Sequence, residues 1–137
     1  MWVWIKAQLL FTWGGLHRYF GNANGIRHEH ERAVHYFDRA YRANPGFHEA
    51  LIAAAVLRYR ELGQVGAAID ALTALLLEIP DHNNARFTRA MAYQEAGRYP
   101  EALQDLEIFL ERAQPADTHY ISARRMVALL GDLVEQP

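Results

Sequence analysis

The feature that most constrains this chain is that it repeats itself with a period near 34 residues. Two long segments, EALIAAAVLRYRELGQVGAAIDALTALLLEIP and NARFTRAMAYQEAGRYPEALQDLEIFLERAQP, match each other. Tyr59 and Tyr93 stand 34 apart, as do Gly63 and Gly97, and Ala68 and Ala102. A third copy of the second half, ERAVHYFDRAYRANP, comes earlier. Its Ala33, Phe37, Ala40 and Pro45 match Ala68, Leu72, Leu75 and Pro80, and again Ala102, Leu106, Phe109 and Pro115. A repeat of this length is one supersecondary unit that cannot bury its apolar face alone and must stack on its neighbours.

Each half-unit carries apolar residues at helical spacing, and no stretch alternates with the two-residue period of a strand. Gly63 and Gly97 sit where the first helix of a unit must turn, because glycine takes left-handed dihedrals at no steric cost. Small Ala68 and Ala102 let two helices approach, and Leu72, Leu75, Leu106 and Phe109 fill the space between them. Pro45, Pro80 and Pro115 close the units, since proline cannot continue a helix. Pro100 falls in a first turn, where its missing N–H costs little. The spacing predicts seven helices near residues 2–20, 28–43, 47–62, 66–78, 83–96, 99–113 and 117–134. Asp117 or Thr118 is placed to cap the last of these, and Tyr120, Ala123, Val127 and Leu130 give it an inward stripe.

The pattern resembles the tetratricopeptide family, whose repeat is a helix-turn-helix of about 34 residues. In the first unit Leu10, Trp13, Gly14, His17 and Gly21 keep the family's spacing of W-x2-L-G-x2-Y followed by glycine, with leucine in the tryptophan slot, tryptophan in the leucine slot and histidine in the tyrosine slot. From Gly21 to Ala33 the chain is seven residues longer than from Gly63 to Ala68. The segment GNANGIRHEHE is therefore expected to be a long, solvated first turn. The fold that the resemblance implies is all-α: a right-handed superhelical array of antiparallel helix pairs, an α-solenoid. It would form one domain over residues 1–137, with units near 7–47, 48–82 and 83–116 and a C-terminal cap over 117–134 of the kind a stacked array needs.

The same resemblance implies a function. In the family the first helix of each unit lines a concave face that holds a partner peptide. The matching slots here are Phe11 and Arg18 in the first helix, Ala53, Leu57 and Arg60 in the second unit, Phe87, Met91 and Gln94 in the third, and Ile121 and Arg125 in the cap. The family's best-known groove grips a terminal carboxylate with lysine and asparagine. Alanine, leucine, phenylalanine and methionine stand there instead, which favours an extended peptide with apolar anchors, or an amphipathic helix. The expected partner is thus a protein segment.

Composition removes other classes. With 137 residues the chain can bury a core unaided. A net charge of −2 gives no general attraction to nucleic acid. There is no cysteine, which excludes disulfides, thiol catalysis and cysteine–zinc sites and fits a reducing, cytoplasmic setting. The apolar start, MWVWIKAQLLFTWGG, lacks the features of a secretory signal and falls short of the roughly 20 apolar residues a membrane span needs.

Candidate chemistry is sparse. His28, His30 and His35 cluster in HEHERAVH, but the spacing matches no compact metal site, and a solvated helix start explains it. Glu101 with Asp105, and Glu107 with Glu111, are helical neighbours expected on the outer face. With no nucleophile motif, phosphate loop or triad, the chain is read as a non-enzyme needing no cofactor. Trp2, Trp4 and Trp13 exceed what one amphipathic face requires. They are read first as core or cap, second as an interface to a partner or a second copy, third as a membrane-surface contact.

Overall fold

The computed structural model describes residues 1–135. Seven helices lie among them: α1 (Trp2–Asn24), α2 (Arg27–Ala43), α3 (His48–Arg60), α4 (Val65–Glu78), α5 (Asn83–Glu95), α6 (Tyr99–Arg112) and α7 (Tyr120–Glu135). No strand occurs among the described residues. The chain divides into two compact units, Met1–Ala68 and Ile69–Pro137, the division falling within α4.

Turn chemistry sets the helix ends. Gly25, Gly63 and Gly97 have φ of 64°, 65° and 73°, the left-handed region that side-chain-bearing residues avoid. The residue after the glycine donates its N–H back to a helix carbonyl, Ile26 to Gly21 at 3.2 Å and Arg98 to Tyr93 at 2.8 Å. These bonds satisfy carbonyls that a helix end leaves free. Pro100 lies in the first turn of α6, as its missing donor dictates.

The first unit departs from the long solvated turn that its sequence predicts. The seven extra residues are helical: α1 continues about one turn beyond Gly21, and α2 begins about one turn earlier relative to its small Ala33 than α4 does relative to Ala68. Two turns of α-helix take about seven residues, so the insertion lengthens both helices without rotating one face away from the other. The left-handed glycine is Gly25, and Gly21 is buried in the helix interior.

Within Met1–Ala68, α2 packs against both α1 and α3. Ala33, Val34, Phe37, Ala54, Leu57 and Leu62 form its core, with Phe11 and Ala53 against them. Phe11 bridges Phe37 and Phe47, with ring centroids at 5.2 and 4.8 Å. Within Ile69–Pro137, α6 packs against α5 and α7 around Phe87, Ala90, Ala102, Leu106, Phe109, Ala123 and Leu130. The predicted inward face of the last helix holds: Ala123 and Leu130 are buried, Tyr120 and Val127 half-buried. Its start does not match, because the helix begins at Tyr120. The Asp117 carboxylate accepts from the Gln114 N–H at 2.8 Å, closing the preceding loop rather than capping the helix.

Candidate functional site

The longest stretch of α1 that faces α2 does so with glycines. A Cβ on Gly14 would stand 2.7 Å from Phe37 Cδ1 and 3.2 Å from the Ala33 carbonyl oxygen. A Cβ on Gly21 would stand 2.6 Å from His30 Cδ2. The two helices thus touch backbone to side chain, and His30 packs against Gly21, buried and hydrogen-bonded through Nε2 to Asn22 Oδ1 at 2.9 Å. His30 takes part in the α1–α2 contact and is not free to ligate.

Beyond this contact, the C-terminal turns of α1 and α3 border a depression of about 530 Å³. Arg18, Asn22, His30, Val56, Leu57 and Arg60 line it, together with Gly21, Gly25 and Glu61. Arg18 and Arg60 are exposed and form no ion pair with a described residue, whereas Arg58 is bound to Asp38. The Arg18 guanidinium stands 5.7 Å from the centroid of the Phe37 ring, a cation–π distance. The depression therefore sets two arginines that form no ion pair with a described residue, together with Glu61, around a mixed lining to which Val56 and the edge of Leu57 add apolar surface.

Three slots named from sequence, Arg18, Leu57 and Arg60, are brought together here. Phe11 and Ala53 are half-buried against the neighbouring core. Leu57 itself is buried, so it offers only a small part of the floor. In Ile69–Pro137 the slots are dispersed among different environments. Phe87 is a core residue, not an open groove residue: it is buried and stacked on the His119 ring at 4.1 Å. Met91 is half-buried against the same core, while Gln94, Ile121 and Arg125 are exposed. Asn22, His30, Val56 and Glu61 were not legible as lining residues. Only the α1–α2 extension brings Asn22 and His30 to the depression, and their local sequence reads as a turn.

The remaining candidates resolve individually. His28 and His35 border a shallow depression with Trp13, Glu31, Arg32 and Tyr36, apart from the buried His30. Among the described residues no group of three or more His, Asp or Glu side chains is placed to hold a metal. Asp105 is not on an outer face but buried. Arg89 grips both its oxygens at 2.7 Å, and Arg86 adds a contact at 3.2 Å. That hydrogen bonding raises the Arg89 pKa further. Glu101 pairs with Arg98 instead of Asp105. His17, a core slot in the first helix, binds Glu29 through Nδ1 and stacks on Tyr36 at 5.4 Å. His82 caps α5 by accepting from the Ala85 N–H at 3.2 Å. Trp2 and Trp4 are exposed, which corrects their reading as core, while Trp13 packs edge-on against Tyr36 at 6.4 Å.

No family model matches the sequence, and no curated protein matches it either. In structure the chain is similar to the first tetratricopeptide domain of Spaghetti (RPAP3), solved bound to an HSP90 peptide, SRMEEVD. The TM-score is 0.76 at 18 % identity, covering 96 % of this chain and 94 % of that one. The fold is tetratricopeptide-like and all-α. No helix of the described residues is long and apolar enough to cross a membrane.

Proposed function

We propose that this protein is a non-catalytic binding scaffold that holds an extended peptide or a helical segment of a partner protein. The observation that carries this reading is the depression between the ends of α1 and α3, where Arg18 and Arg60 stand without an ion pair to a described residue beside half-buried Val56, with one acid, Glu61, in the same lining. A ligand matched to it carries an acidic group beside an apolar side chain. The guanidinium fork suits a carboxylate, and an apolar anchor displaces water from the floor. The structural neighbour, bound to an acidic peptide, supports the general mode. The lysines and asparagines of the terminal-carboxylate grip are absent from the matching slots here. Recognition of an internal acidic–apolar segment therefore fits better than recognition of a chain end. Within Met1–Ala68, Phe11 and Ala53 flank the proposed surface and Leu57 supports it from the core; Met91, Gln94, Ile121 and Arg125, with Phe87 beneath, are proposed as a separate surface of Ile69–Pro137.

The test avoids the buried positions. A peptide library of mixed acidic and apolar heptamers is screened against the wild type, and the tightest binders are titrated by fluorescence polarisation. Arg18→Glu combined with Arg60→Glu should weaken them by about 100-fold, the loss of two charge-assisted contacts of some 1.5 kcal/mol each. Unchanged affinity in a folded double variant would sink the site.

A further inference from the structure

The outer face of α1 is apolar, although a surface helix ordinarily turns a polar face to water. Trp2 is 82 % and Leu9 67 % exposed, and Trp13, Leu16 and Phe20 are each close to half exposed. Successive residues turn about 100°, so these five fall on one stripe, whereas Trp4 points elsewhere. The stripe lies well away from the Ala7–Gly14–Gly21 face buried against α2. Its spacing is four-three: Trp2, Lys6, Leu9, Trp13, Leu16, Phe20. That is the spacing of a coiled-coil seam, with leucine seven residues apart at Leu9 and Leu16, aromatic residues at three other sites and one lysine.

We propose that a second copy of this chain covers the stripe, through antiparallel pairing of two α1 helices about a two-fold axis near residue 11. Reversing the stripe about that point superposes every member on another. Trp2 meets Phe20 of the partner subunit, Lys6 meets Leu16 of the partner subunit, and Leu9 meets Trp13 of the partner subunit. A two-fold contact must be self-complementary in this sense. Antiparallel helices also oppose their dipoles, and the lysine stem can lie along leucine while its ammonium reaches water.

Area and charge favour this occupant. At 150–250 Å² for a large aromatic side chain, the exposed parts of the five residues amount to roughly 500 Å². With their flanks this approaches the ~800 Å² per partner of a stable interface. Lys6 and Arg18 are the only charges in α1, with no acidic residue, so the helix carries no charge pattern that would select a different helix. An interfacial membrane helix is rich in lysine and arginine, and α1 is not. Glu31, Arg32 and His35 of α2 border Trp13 as the polar rim of such an interface.

Sedimentation equilibrium over a concentration series tests the proposal. The wild type should be a reversible dimer. Leu9→Glu, at an exposed position, should raise its dissociation constant about tenfold or more with the circular dichroism spectrum unchanged, and with melting equal to the wild type's only at concentrations where both are monomers. Register is read separately, because the chain has no cysteine of its own. An equimolar mixture of Lys6→Cys and Leu16→Cys should oxidise to the mixed disulfide in preference to either homodimer. A wild type that stays monomeric, an unshifted Leu9→Glu, or predominant Lys6→Cys homodisulfides, which a parallel pair would give, each overturns it. Uptake of monomers by vesicles of phosphatidylcholine and phosphatidylserine would assign the stripe to a membrane surface and overturn it equally.

Discussion

At the scale of single residues, the decisive interactions join side chains far apart in sequence. Asp105 reads from its helix as an exposed acid beside Glu101, yet it is buried and bound by Arg86 and Arg89 from α5. Removing one member of a buried ion group strands the others in a poorly solvated site, at a cost of about 3–5 kcal/mol. Asp105→Ala should lower the unfolding free energy by that amount in urea titration, and Asp105→Asn by less because it keeps an acceptor. A loss below about 1 kcal/mol for Asp105→Ala would show the arginines re-solvate freely. Glu29 gives a pH signature. Its hydrogen bond with His17 holds its carboxyl below the ordinary 4.5. A depressed carboxyl pKa stabilises the fold above the unfolded value and loses that contribution as pH falls through the folded one. Between pH 6 and pH 3.5 the wild type should therefore lose more of its urea midpoint than Glu29→Gln does. Parallel losses in the two proteins would refute the coupling.

At the scale of elements, the pairing of α1 with α2 carries what is particular to this chain. Glycine in a helix interior costs about 1 kcal/mol relative to alanine, so on propensity alone Gly21→Ala and Gly14→Ala would stabilise. Contact reverses the sign, because each new methyl would fall under 3 Å from a buried ring, and Gly14 also faces the Ala33 carbonyl. Both variants should lose about 1–3 kcal/mol through overpacking, measured by thermal or urea unfolding. Gly15→Ala, with nothing within 4 Å, is the internal control and should be neutral or stabilising; destabilisation equal to that of Gly21→Ala would locate the effect in the helix and not the contact. The insertion that made the first unit look irregular thus forms two helix turns that carry Asn22 to the depression and bring His30 against Gly21.

At the scale of the whole molecule, two consequences follow from a repeat with departures at its first helix. The shared elements give the tetratricopeptide-like fold, and the departures supply surface chemistry: the Arg18–Arg60 depression and the apolar outer stripe of α1. These two sites should be separable. Leu9→Glu should weaken self-association about tenfold or more and leave peptide affinity within about twofold, because the stripe and the depression share no residue. Parallel loss of both activities in a folded Leu9→Glu protein would show that they are one surface.

The seven helices, the turn glycines Gly63 and Gly97, the small Ala68 and Ala102 and the closing prolines were readable from sequence. Each rests on local physics that repeats every 34 residues: backbone dihedrals, proline's missing donor and helical periodicity. The tertiary structure alone decided that GNANGIRHEHE is mostly helix, that Asp105, Leu57 and Phe87 are buried, and that Arg18 and Arg60 face one depression while Trp2 and Trp4 stay in solvent. Those outcomes depend on which residue of one helix meets which residue of another, and periodicity fixes a helix's faces without naming their neighbours.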